Sequence, residues 1–442
     1  MGYITKTKGE SHHLITEVQI KDLFGHYNYS LKIPAIERNT LSRVGILYGD
    51  NGSGKTTILK LLFHLLSPNI QHRHRSEISN IPFSKISVLF SDKVRITADR
   101  RENMLTGSFT VELQKPNRSP LKAKFEATDG RGITRYTKQG IDLYKEIEKL
   151  GLSIFFLTDL RTLESDKIIK VPEEPEFLEK WDKETKKGYH SDVDDRRDST
   201  LRQSLEQTTS LIHRSLIEAS SRGDVEAQSI YANIIEHIDD YTLRPVSDTV
   251  TPINKLKKEL KELEKRSAVF TELGLTSKIN IRRFYKGLNK PTKRSLPFVE
   301  RVVRSFIDGQ LARLNALEKL KLLLVRFLSQ INNFFVDKKI KIEVSKGISI
   351  ISDYGEDLII EMLSSGEKQL LLLLLNILIA SETASLFIID EPEISLNVKW
   401  QRKLIDALVD ITRGSQCQFL VATHSIELLT KHHNQVIKLK NI

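Results

Sequence analysis

The residues with the clearest chemical pattern form a glycine-rich run, Gly49-Asp50-Asn51-Gly52-Ser53-Gly54-Lys55-Thr56-Thr57. An apolar segment typical of a buried strand precedes it at residues 45–48, and a segment with an apolar helical face follows at residues 57–66. A glycine turn that leads from a strand into a helix can surround a phosphate with its amides, because the helix dipole favours anions at that end. The spacing therefore predicts a nucleotide-binding loop.

Individual side chains of this loop have separate predicted tasks. Lys55 would reach the β- and γ-phosphates of a nucleotide, and the Thr56 hydroxyl would be a ligand of Mg²⁺. Mostly backbone contacts are expected from the other loop residues, which are Asn51, Gly52, Ser53, Gly54 and Thr57. A chance glycine turn is the alternative, but the complete GxxxxGK[ST] match between a strand and a helix favours the nucleotide site.

A second group of candidate residues follows two apolar segments far along the chain. Asp390 and Glu391 come directly after the apolar residues 386–389, and His424 follows the apolar residues 419–423. Asp390 can orient Mg²⁺ through water, and Glu391 can polarise an attacking water as a general base. His424 can hydrogen-bond a γ-phosphate or that water. Two such carboxylates alone could form a solvated turn or a helix cap, and a lone histidine is usually structural, so these roles depend on the glycine-rich loop.

These motifs, in this order, resemble those of the ABC-type ATPase family, in particular its SMC, RecF and OLD-like branch. Beyond the glycine-rich loop, the similarity rests on a signature-like run and a D-loop-like run, with His424 in the place of the switch histidine. The two runs are Leu363-Ser364-Ser365-Gly366-Glu367-Lys368-Gln369 and Ser395-Leu396-Asn397. The similarity is close over residues 1–70 and 340–442 and loose over the middle. It implies an α/β fold, an ABC-type P-loop ATPase head with an antiparallel β subdomain and a helical insertion.

The resemblance also implies that ATP joins two copies of the chain. In the family, the signature serine and glycine of one protomer close on the γ-phosphate held by the P-loop of the other. Ser364, Ser365 and Gly366 would accordingly contact ATP in trans, in a homo-oligomer built from ATP-bound head dimers. Ser365 stands where the family often has glycine, and Asn397 where OLD-like chains often have histidine. The residues alone also allow a capping box between Ser364 and Glu367, and both interpretations can hold together.

The order of the motifs predicts a head that is divided by an insertion. Residues 1–163 would contain the P-loop and the β subdomain, residues 164–337 the charged helical insertion, and residues 338–442 the signature, the Walker B motif, the D-loop and the switch histidine. The resemblance assigns Arg161, just after a predicted strand at residues 152–157, to the neighbourhood of the nucleotide. A surface salt bridge is the commoner use of such an arginine.

Alternation of apolar and polar residues predicts antiparallel strands in the first part of the chain. It extends through residues 17–34 and through four short runs, which are residues 86–90, 94–98, 108–113 and 122–127. Helices are expected in the insertion, at residues 201–220, 224–238, 253–270 and 298–335. Leucines at residues 255–265 have coiled-coil-like spacing, but over too few heptads for a long arm.

The insertion also contains a basic segment that is a candidate binding surface. Residues 278–294 include seven basic residues and no acidic one, namely Lys278, Arg282, Arg283, Lys286, Lys290, Lys293 and Arg294. Phe284 and Tyr285 between them offer stacking surfaces, so a nucleic acid or an acidic protein is a candidate trigger here. A solvated face is the commoner meaning of such a run.

Composition limits the remaining classes. The net charge of +11 over 442 residues suits a polyanionic partner. Cys417 is the single cysteine, which excludes a disulfide framework and fits a reducing compartment. Residues 1–10 lack the apolar core of a signal peptide, and the longest apolar run, at residues 370–380, is shorter than the ~20 residues of a membrane span. We therefore expect a cytoplasmic protein without a membrane span.

Three functions are compatible with these features. The first is an ATPase that serves as sensor and scaffold of a bacterial anti-phage system, similar to the ATPases of PARIS and Septu, and controls a separate effector. OLD-class chains continue after the switch histidine into a Toprim nuclease domain, whereas residues 425–442 alone follow His424 here, so we expect the effector to be a nuclease on another polypeptide. The second is a RecF-like DNA-repair ATPase, which the basic segment would suit. The least favoured is the ATPase subunit of a membrane transporter, since those subunits lack an insertion of this length.

Overall fold

The computed structural model describes residues 13–37, 40–41, 43–69, 73–128, 132–133, 137–159, 163–165, 193–236, 253–289, 296–344, 346–381 and 383–442. The chain forms two compact units. Unit one consists of Met1–Thr200 and Ser364–Ile442, and unit two of Leu201–Leu363. Arg161 and three residues of the basic segment, Lys290, Lys293 and Arg294, lie outside the described residues.

The N-terminal part of unit one contains most of the strands. They are β1 (Ile15–Leu23), β2 (Tyr27–Lys32), β3 (Ala35–Glu37), β4 (Thr40–Leu41), β5 (Val44–Tyr48), β6 (Lys85–Phe90), β7 (Arg95–Asp99), β8 (Phe109–Gln114), β9 (Leu121–Phe125), β10 (Ala127–Thr128), β11 (Gly132–Ile133), β12 (Ile154–Leu157) and β13 (Leu163–Ser165). Its helices are α1 (Lys55–Leu66), α2 (His74–Asn80) and α3 (Lys138–Glu148).

Unit two and the C-terminal part of unit one follow. Helix α4 (Val193–Glu236) spans the boundary at residue 200, and unit two continues with α5 (Ile253–Glu272), α6 (Arg282–Leu288), α7 (Leu296–Asn332), β14 (Lys338–Glu343), β15 (Gly347–Ser352), β16 (Asp357–Leu358) and a 3-10 turn, Ile360–Met362. Unit one resumes with α8 (Ser365–Ala380), β17 (Leu386–Asp390), α9 (Val398–Ile411), β18 (Gln418–Thr423), α10 (Ile426–Leu429), a 3-10 turn, His433–Gln435, and β19 (Val436–Lys438).

A six-stranded sheet with parallel central strands positions the candidate residues of unit one. Its order is β13, β12, β17, β18, β5 and β19, and only β13 is antiparallel to its neighbour. The register pairs Thr423 with Tyr48 and Ala422 with Asp390. The carboxyl ends of strands from both parts of the chain therefore lie side by side along one edge of the sheet.

Both faces of this sheet are covered, as expected for buried parallel strands. Phe156, Ile388 and Leu420 belong to the same core cluster as α1, whose residues contact β12, β17 and β18. The side chains between them point to the other face, where Phe387 packs on Phe155 and Phe419 with ring centroids 6.0 and 5.9 Å apart. Burial on both faces explains why these strands are continuous apolar runs in the sequence.

The second large sheet of unit one is the predicted β subdomain. It is antiparallel and has the order β2, β1, β6, β7, β8 and β9. Its inward side chains, such as Val18, Ile86 and Val111, are part of the core cluster that includes α1. The strands predicted from alternation at residues 17–34 and between residues 86 and 127 are confirmed.

The described helices of unit two pack through the leucines that have coiled-coil-like spacing in the sequence. Leu256, Leu260 and Leu263 on α5 are buried, and α5 lies against α7. Helix α4 is a single helix of 44 residues, so the prediction of two helices separated near residue 222 is wrong. Gly223 lies inside the helix at a close approach to α7, where an added Cβ would lie 2.9 Å from the Arg313 Cα atom.

The aromatic residues of the basic segment hold α6 in place within unit two. The Phe284 ring stacks on Phe306 with centroids 4.2 Å apart, and the Tyr285 hydroxyl donates a hydrogen bond of 2.7 Å to the Lys257 carbonyl. Both rings are half-buried. They are used in packing rather than offered as stacking surfaces for bases, which corrects that part of the prediction.

The unit boundaries differ from the predicted domain boundaries. Strands β14, β15 and β16 form a small antiparallel sheet that lies in unit two with the helices, although the sequence assigns residues from 338 onward to the head. The register pairs Ile340 with Ile350, and both are buried. Helix α7 contacts β14, which explains the grouping.

Helix α8 is strongly apolar, and most of it is buried in unit one. All of its residues from Leu370 to Ala380 are buried, including Asn376. Cys417 is also fully buried, and burial raises the pKa of its thiol to about 12. Among the helices that the structure describes, none is both long enough and apolar enough to cross a membrane.

Candidate nucleotide-binding site

The glycine-rich loop connects β5 to α1 at the carboxyl edge of the parallel sheet. Gly52 and Gly54 have φ angles of 81° and 85°, in the left-handed region that favours glycine. An added Cβ on Gly54 would lie 2.9 Å from Leu23, whereas Gly52 has nothing within 4 Å. The Tyr29 hydroxyl donates a hydrogen bond of 2.8 Å to the Ser53 carbonyl and fixes the loop to β2. The loop is thus a rigid turn with an open side at Gly52.

The start of α1 is suited to an anion. Gly54 is its N-cap, no side chain caps its first amides, and its first turn contains no acidic residue. The Ser53 hydroxyl oxygen is buried and has no hydrogen-bond partner among the described residues. Uncapped amides at a helix N-terminus together with a free hydroxyl fit a phosphate group. The loop residues therefore fit the nucleotide that the sequence predicts.

Lys55 is buried beneath this loop with its ammonium group turned back toward the strand ends. Its Nζ donates hydrogen bonds to the carbonyls of Gly49 and Asp50, at 2.9 and 3.1 Å. Burial lowers the pKa of Lys55, and the charges of Glu391 and Asp390 oppose this shift. The cation is thus held by groups that a phosphate oxygen can replace.

Thr56 and Asp390, the two predicted Mg²⁺ ligands, are hydrogen-bonded to each other. Asp390 is the last residue of β17 and is almost fully buried. Burial raises the pKa of Asp390, while the hydrogen bond from Thr56 and the charges of Lys60 and Lys55 lower it. A hydroxyl and a carboxylate oxygen that meet beside a phosphate loop suit Mg²⁺, which takes oxygen ligands from protein and phosphate together.

Glu391 occupies an unusual backbone conformation at the end of the same strand. Its φ angle is 47°, and its N–H donates a hydrogen bond of 2.9 Å to the Ala422 carbonyl. A non-glycine residue in this region costs about 1–3 kcal/mol and is typical of functional sites. Burial, with a hydrogen bond to Glu393 and the charges of Glu393 and Asp390, raises the pKa of Glu391 to about 8.

His424 links Lys55 to Glu391. Its Nδ1 lies 3.1 Å from the Lys55 Nζ, and its Nε2 lies 2.9 Å from a carboxylate oxygen of Glu391. Because an ammonium group can only donate, Nδ1 accepts and Nε2 carries the proton that is donated to Glu391. The structure therefore brings the predicted P-loop lysine, general base and switch histidine into one chain of contacts.

The signature-like run forms the N-terminus of α8 and is the predicted capping box. The Ser364 N–H and hydroxyl donate to Glu367 at 2.8 and 2.9 Å, and the Glu367 N–H donates to the Ser364 hydroxyl at 3.3 Å. Ser364 and Ser365 are exposed. Within the described part of the chain, no hydrogen bond or ion pair joins this run to the P-loop.

Gly366 allows the signature-like run to meet the D-loop-like run. An added Cβ on Gly366 would lie 2.7 Å from the Ser395 carbonyl oxygen, closer than any real contact. Ser395 itself has a φ angle of 63°. Asn397 caps α9 by accepting a hydrogen bond of 3.0 Å from the Trp400 N–H.

Three residues near the site were not predicted from the sequence. Glu393 is buried and accepts hydrogen bonds from the turn that carries His424, and Gln401 bonds to the same turn. Asp159, after β12, is close enough to raise the pKa of Asp390 by its charge. The third acidic residue of the run Asp390-Glu391-Pro392-Glu393, which is Glu393 itself, was the available signal. No signal in the sequence indicated a role for Gln401, because it occupies an ordinary polar position of a helix.

A family model described as "AAA domain, putative AbiEii toxin, Type IV TA system" matches residues 46–430. The match includes the P-loop, both Walker B carboxylates and His424. The chain belongs to this family. Family membership, together with the two sheets and the P-loop between β5 and α1, confirms the predicted α/β ATPase head with an antiparallel β subdomain.

Solved structures similar to this chain include head domains of SMC proteins. The Smc head domain with an extended coiled coil bound to the C-terminal domain of ScpA, derived from Pyrococcus furiosus, is 14% identical, with a TM-score of 0.40 and coverage of 97% of this chain and 94% of that chain. The Smc head domain with a coiled coil and joint from Pyrococcus yayanosii is 15% identical (TM-score 0.38, coverage 96% and 94%). The SMC head domain from Thermotoga maritima is 12% identical (TM-score 0.35, coverage 97% and 98%). A search of curated proteins found no match.

Proposed function

We propose that this chain binds ATP with Mg²⁺ at the carboxyl edge of the parallel sheet and hydrolyses it. The observation that carries the proposal is the contact chain from Lys55 through His424 to Glu391. The His424 imidazole thus joins the Lys55 cation, which would bind the phosphates, to the Glu391 carboxyl, whose pKa is raised. Thr56 and Asp390 beside them form the hydroxyl–carboxylate pair that suits Mg²⁺. Positioning and charge stabilisation of this kind are what phosphoryl transfer to water requires.

Each residue has a task in this proposal. Lys55 exchanges its carbonyl partners for phosphate oxygens. Thr56 and Asp390 hold Mg²⁺, which would offset the negative charge that develops on the phosphates. Glu391 takes a proton from the attacking water as general base, and His424 orients the Glu391 carboxylate through its Nε2 proton. Asn51, Gly52, Ser53, Gly54 and Thr57 would contact the phosphates.

We further propose that ATP joins two copies of the chain. The exposed N-terminus of α8, with Ser364, Ser365 and Gly366, would close on the γ-phosphate held by the P-loop of the other copy. Its capping box supports this role, because it fixes the first turn of α8 while leaving the helix N-terminus on the surface. The resulting head dimer would be the ATP-bound state.

The biological role that we favour is that of a sensor and scaffold in an anti-phage defence system. The AbiEii toxin and Type IV TA system in the family description support a protein that acts in a regulated toxic or defensive response. In this role ATP-bound dimers would hold a separate effector, a nuclease, and release or activate it on infection. Hydrolysis through Glu391 would reset the assembly.

The test of the enzymatic proposal is a comparison of ATP turnover and nucleotide binding in three variants. Glu391→Gln should bind ATP as the wild type does but lose about 100-fold or more in turnover, because the general base is removed. Lys55→Ala should lose binding, whereas Lys149→Ala, on the surface of the same unit, should change neither. Equal turnover in the wild type and Glu391→Gln would refute the assignment of the base.

The test of the assembly uses the same variants in a measurement of mass in solution. With ATP and Mg²⁺, Glu391→Gln should accumulate as a dimer or larger species, and Lys55→Ala should not. A pull-down from native cells with tagged Glu391→Gln, with and without ATP, would then identify an ATP-dependent effector. A Glu391→Gln variant that binds ATP yet stays monomeric would argue against the ATP-joined dimer.

A RecF-like DNA-binding ATPase remains the second candidate, because four basic residues of the described part of the basic segment are exposed. These are Lys278, Arg282, Arg283 and Lys286. Replacing Arg282, Arg283 and Lys286 by Gln should weaken DNA binding and reduce its salt dependence by about 0.9 per lost phosphate contact. The matched control replaces Lys258, Lys261 and Lys265 on α5. Binding that is absent from the wild type, or equal in both triple variants, would exclude this surface as a DNA site.

A further inference from the structure

Glu393 has no task of its own in the reaction proposed above beyond its effect on the pKa of Glu391, yet its carboxylate is at the centre of a hydrogen-bond cluster. Its Oε1 accepts a bond from the Thr423 hydroxyl, a bond of 2.9 Å from the His424 N–H and a bond of 3.1 Å from the Ser425 N–H. Glu393 is 9% exposed, and Thr423 is fully buried. Three consecutive residues of the turn after β18 thus converge on a single oxygen atom.

This convergence determines where the His424 ring lies. Hydrogen bonds to a carboxylate are stronger than those between neutral groups, particularly in a buried site. The turn is fixed at the residues before and after His424 and at His424 itself. The fixed backbone therefore places the His424 ring between Lys55 and Glu391. Its Nδ1 lies 3.1 Å from the Lys55 Nζ, and its Nε2 lies 2.9 Å from the Glu391 carboxylate.

The other end of the same turn is connected to the D-loop-like run. The Ser425 hydroxyl donates a hydrogen bond of 2.6 Å to the Gln401 side-chain oxygen, and the Gln401 side-chain amide donates one of 2.8 Å to the Leu396 carbonyl. Leu396 follows Ser395, whose carbonyl oxygen is the atom that Gly366 approaches. A series of contacts therefore runs from the signature-like helix to the turn that carries His424.

We propose that Glu393 is a positioning residue that holds the turn of Thr423, His424 and Ser425, so that His424 bridges Lys55 and Glu391, and that Gln401 connects this turn to the D-loop-like run. The inference rests on the proposed ATP hydrolysis for its kinetic consequence. The placement of the His424 ring is a property of the chain without nucleotide and can be tested separately. Glu393 acts on His424 through the turn, and it also contacts the Glu391 carboxyl, whose pKa it raises.

Kinetic measurements on Glu393 variants test the proposal. Glu393→Ala removes the acceptor of all three bonds and should lower kcat about 10- to 100-fold, with the KM for ATP changed less than about threefold. Glu393→Gln keeps one acceptor oxygen in nearly the same volume and should retain more activity than Glu393→Ala. Glu427→Gln, which removes a surface carboxylate paired with Arg402 at 2.6 Å, is the matched control and should leave kcat unchanged.

A double-mutant cycle distinguishes positioning from general damage. The cycle is measured at a pH well above 8, where Glu391 is ionised with or without Glu393. If Glu393 positions the ring of His424, adding Glu393→Gln to His424→Ala should then lower kcat by less than about twofold beyond His424→Ala alone. If Glu393 merely supports the fold, the two effects should multiply. Multiplying effects would overturn the proposal.

Nuclear magnetic resonance of the histidine ring nitrogens provides a readout that needs no nucleotide. The His424 signals, assigned by their loss in His424→Gln, should indicate a proton on Nε2 in the wild type and should shift or broaden in Glu393→Gln but not in Glu427→Gln. Unchanged His424 signals in Glu393→Gln would overturn the proposal. If no form of the chain hydrolyses ATP, the proposed function fails, but this measurement still decides whether Glu393 positions the ring.

Discussion

The Nε2 atom of His424 lies 2.9 Å from Oε1 of Glu391, and the two residues follow neighbouring parallel strands. The imidazole therefore supports the carboxylate that we propose as general base. We expect His424→Ala to lower ATP turnover about 10- to 100-fold while nucleotide binding persists, since the loss of an orienting hydrogen bond affects the transition state more than the ground state. Steady-state kinetics with a binding titration measures both. A variant that loses binding to the same extent as turnover would contradict this role.

The raised pKa of Glu391, about 8, predicts how turnover depends on pH. A general base works in its ionised form, so kcat/KM should increase as the pH rises from about 6.5 to about 8.5 and then level off. Residual turnover by Glu391→Gln should lack this increase. The check is kcat/KM for ATP at constant ionic strength over that range. A profile that is flat for the wild type as well would contradict the assignment.

The same pKa predicts that the site reduces stability at high pH. A folded-state pKa of about 8, above the usual 4.5, means that the folded chain holds this proton more tightly than the unfolded chain does. The contribution to stability is therefore complete below about pH 4.5 and is lost as the pH rises through about 8. Glu391→Gln, which is always neutral, should be more stable than the wild type at pH 8.5 by up to about 5 kcal/mol, which is the full pKa difference, and by about 1–3 kcal/mol after solvent screening of this half-buried group. At pH 5 the difference should be less than about 1 kcal/mol. Urea unfolding at the two pH values measures the difference.

Ser364 allows the capping and the assembly roles of the signature-like run to be separated. Ser364→Ala should cost about 1 kcal/mol of stability through the lost N-cap and should also prevent ATP-dependent dimers. Thr137→Ala is the control, because Thr137 caps α3 by accepting a hydrogen bond of 3.1 Å from the Gly140 N–H. It should cost a similar amount of stability and leave dimers intact. If both variants still form dimers, Ser364 acts only as a cap.

Gly366 is predicted to require glycine because of its neighbour and not because of its backbone conformation. Gly366→Ala places a methyl group 2.7 Å from the Ser395 carbonyl and should destabilise the chain by about 1–3 kcal/mol as the D-loop-like run moves away. Gly287→Ala, in α6 with nothing within 4 Å, should be neutral or slightly stabilising. Thermal unfolding of the two variants compares them directly. Equal stability of Gly366→Ala and Gly287→Ala would contradict this prediction and would show that the turn at Ser395 can move without cost.

The parts of the fold and the site that could be predicted from the sequence are those with local signals. The P-loop was recognisable because Gly52, Gly54 and Lys55 have fixed spacing between a strand and a helix. The strands of the β subdomain were recognisable from their alternation. The Walker B carboxylates were recognisable because Leu386–Asp390 is an apolar strand whose last residue is acidic.

The remaining features depend on contacts between distant residues. Glu393 is important because three donors from residues 423–425 meet on it, and no local pattern encodes that. The sequence predicted separate helices at residues 201–220 and 224–238, but α4 is continuous, and the close approach of α7 requires a small residue at Gly223 inside it. Phe284 looked available for bases until its stacking on Phe306 was visible. Tertiary packing determined each of these outcomes.

The pairing of β5 with β18 has a consequence for how the protein is made. Lys55 and His424 are 369 residues apart, and β18 lies between β5 and β17. At about 5–20 residues per second, the ribosome needs roughly 20–70 seconds after it has synthesised the P-loop before the last contributor to the site emerges. Asp390 and Glu391 are synthesised near the end of that interval and His424 at its end, so for most of it the phosphate loop has neither these carboxylates nor the histidine opposite it. The site is therefore complete only after residue 424 has been synthesised, and a chain that stops before that residue would contain the phosphate loop without its histidine.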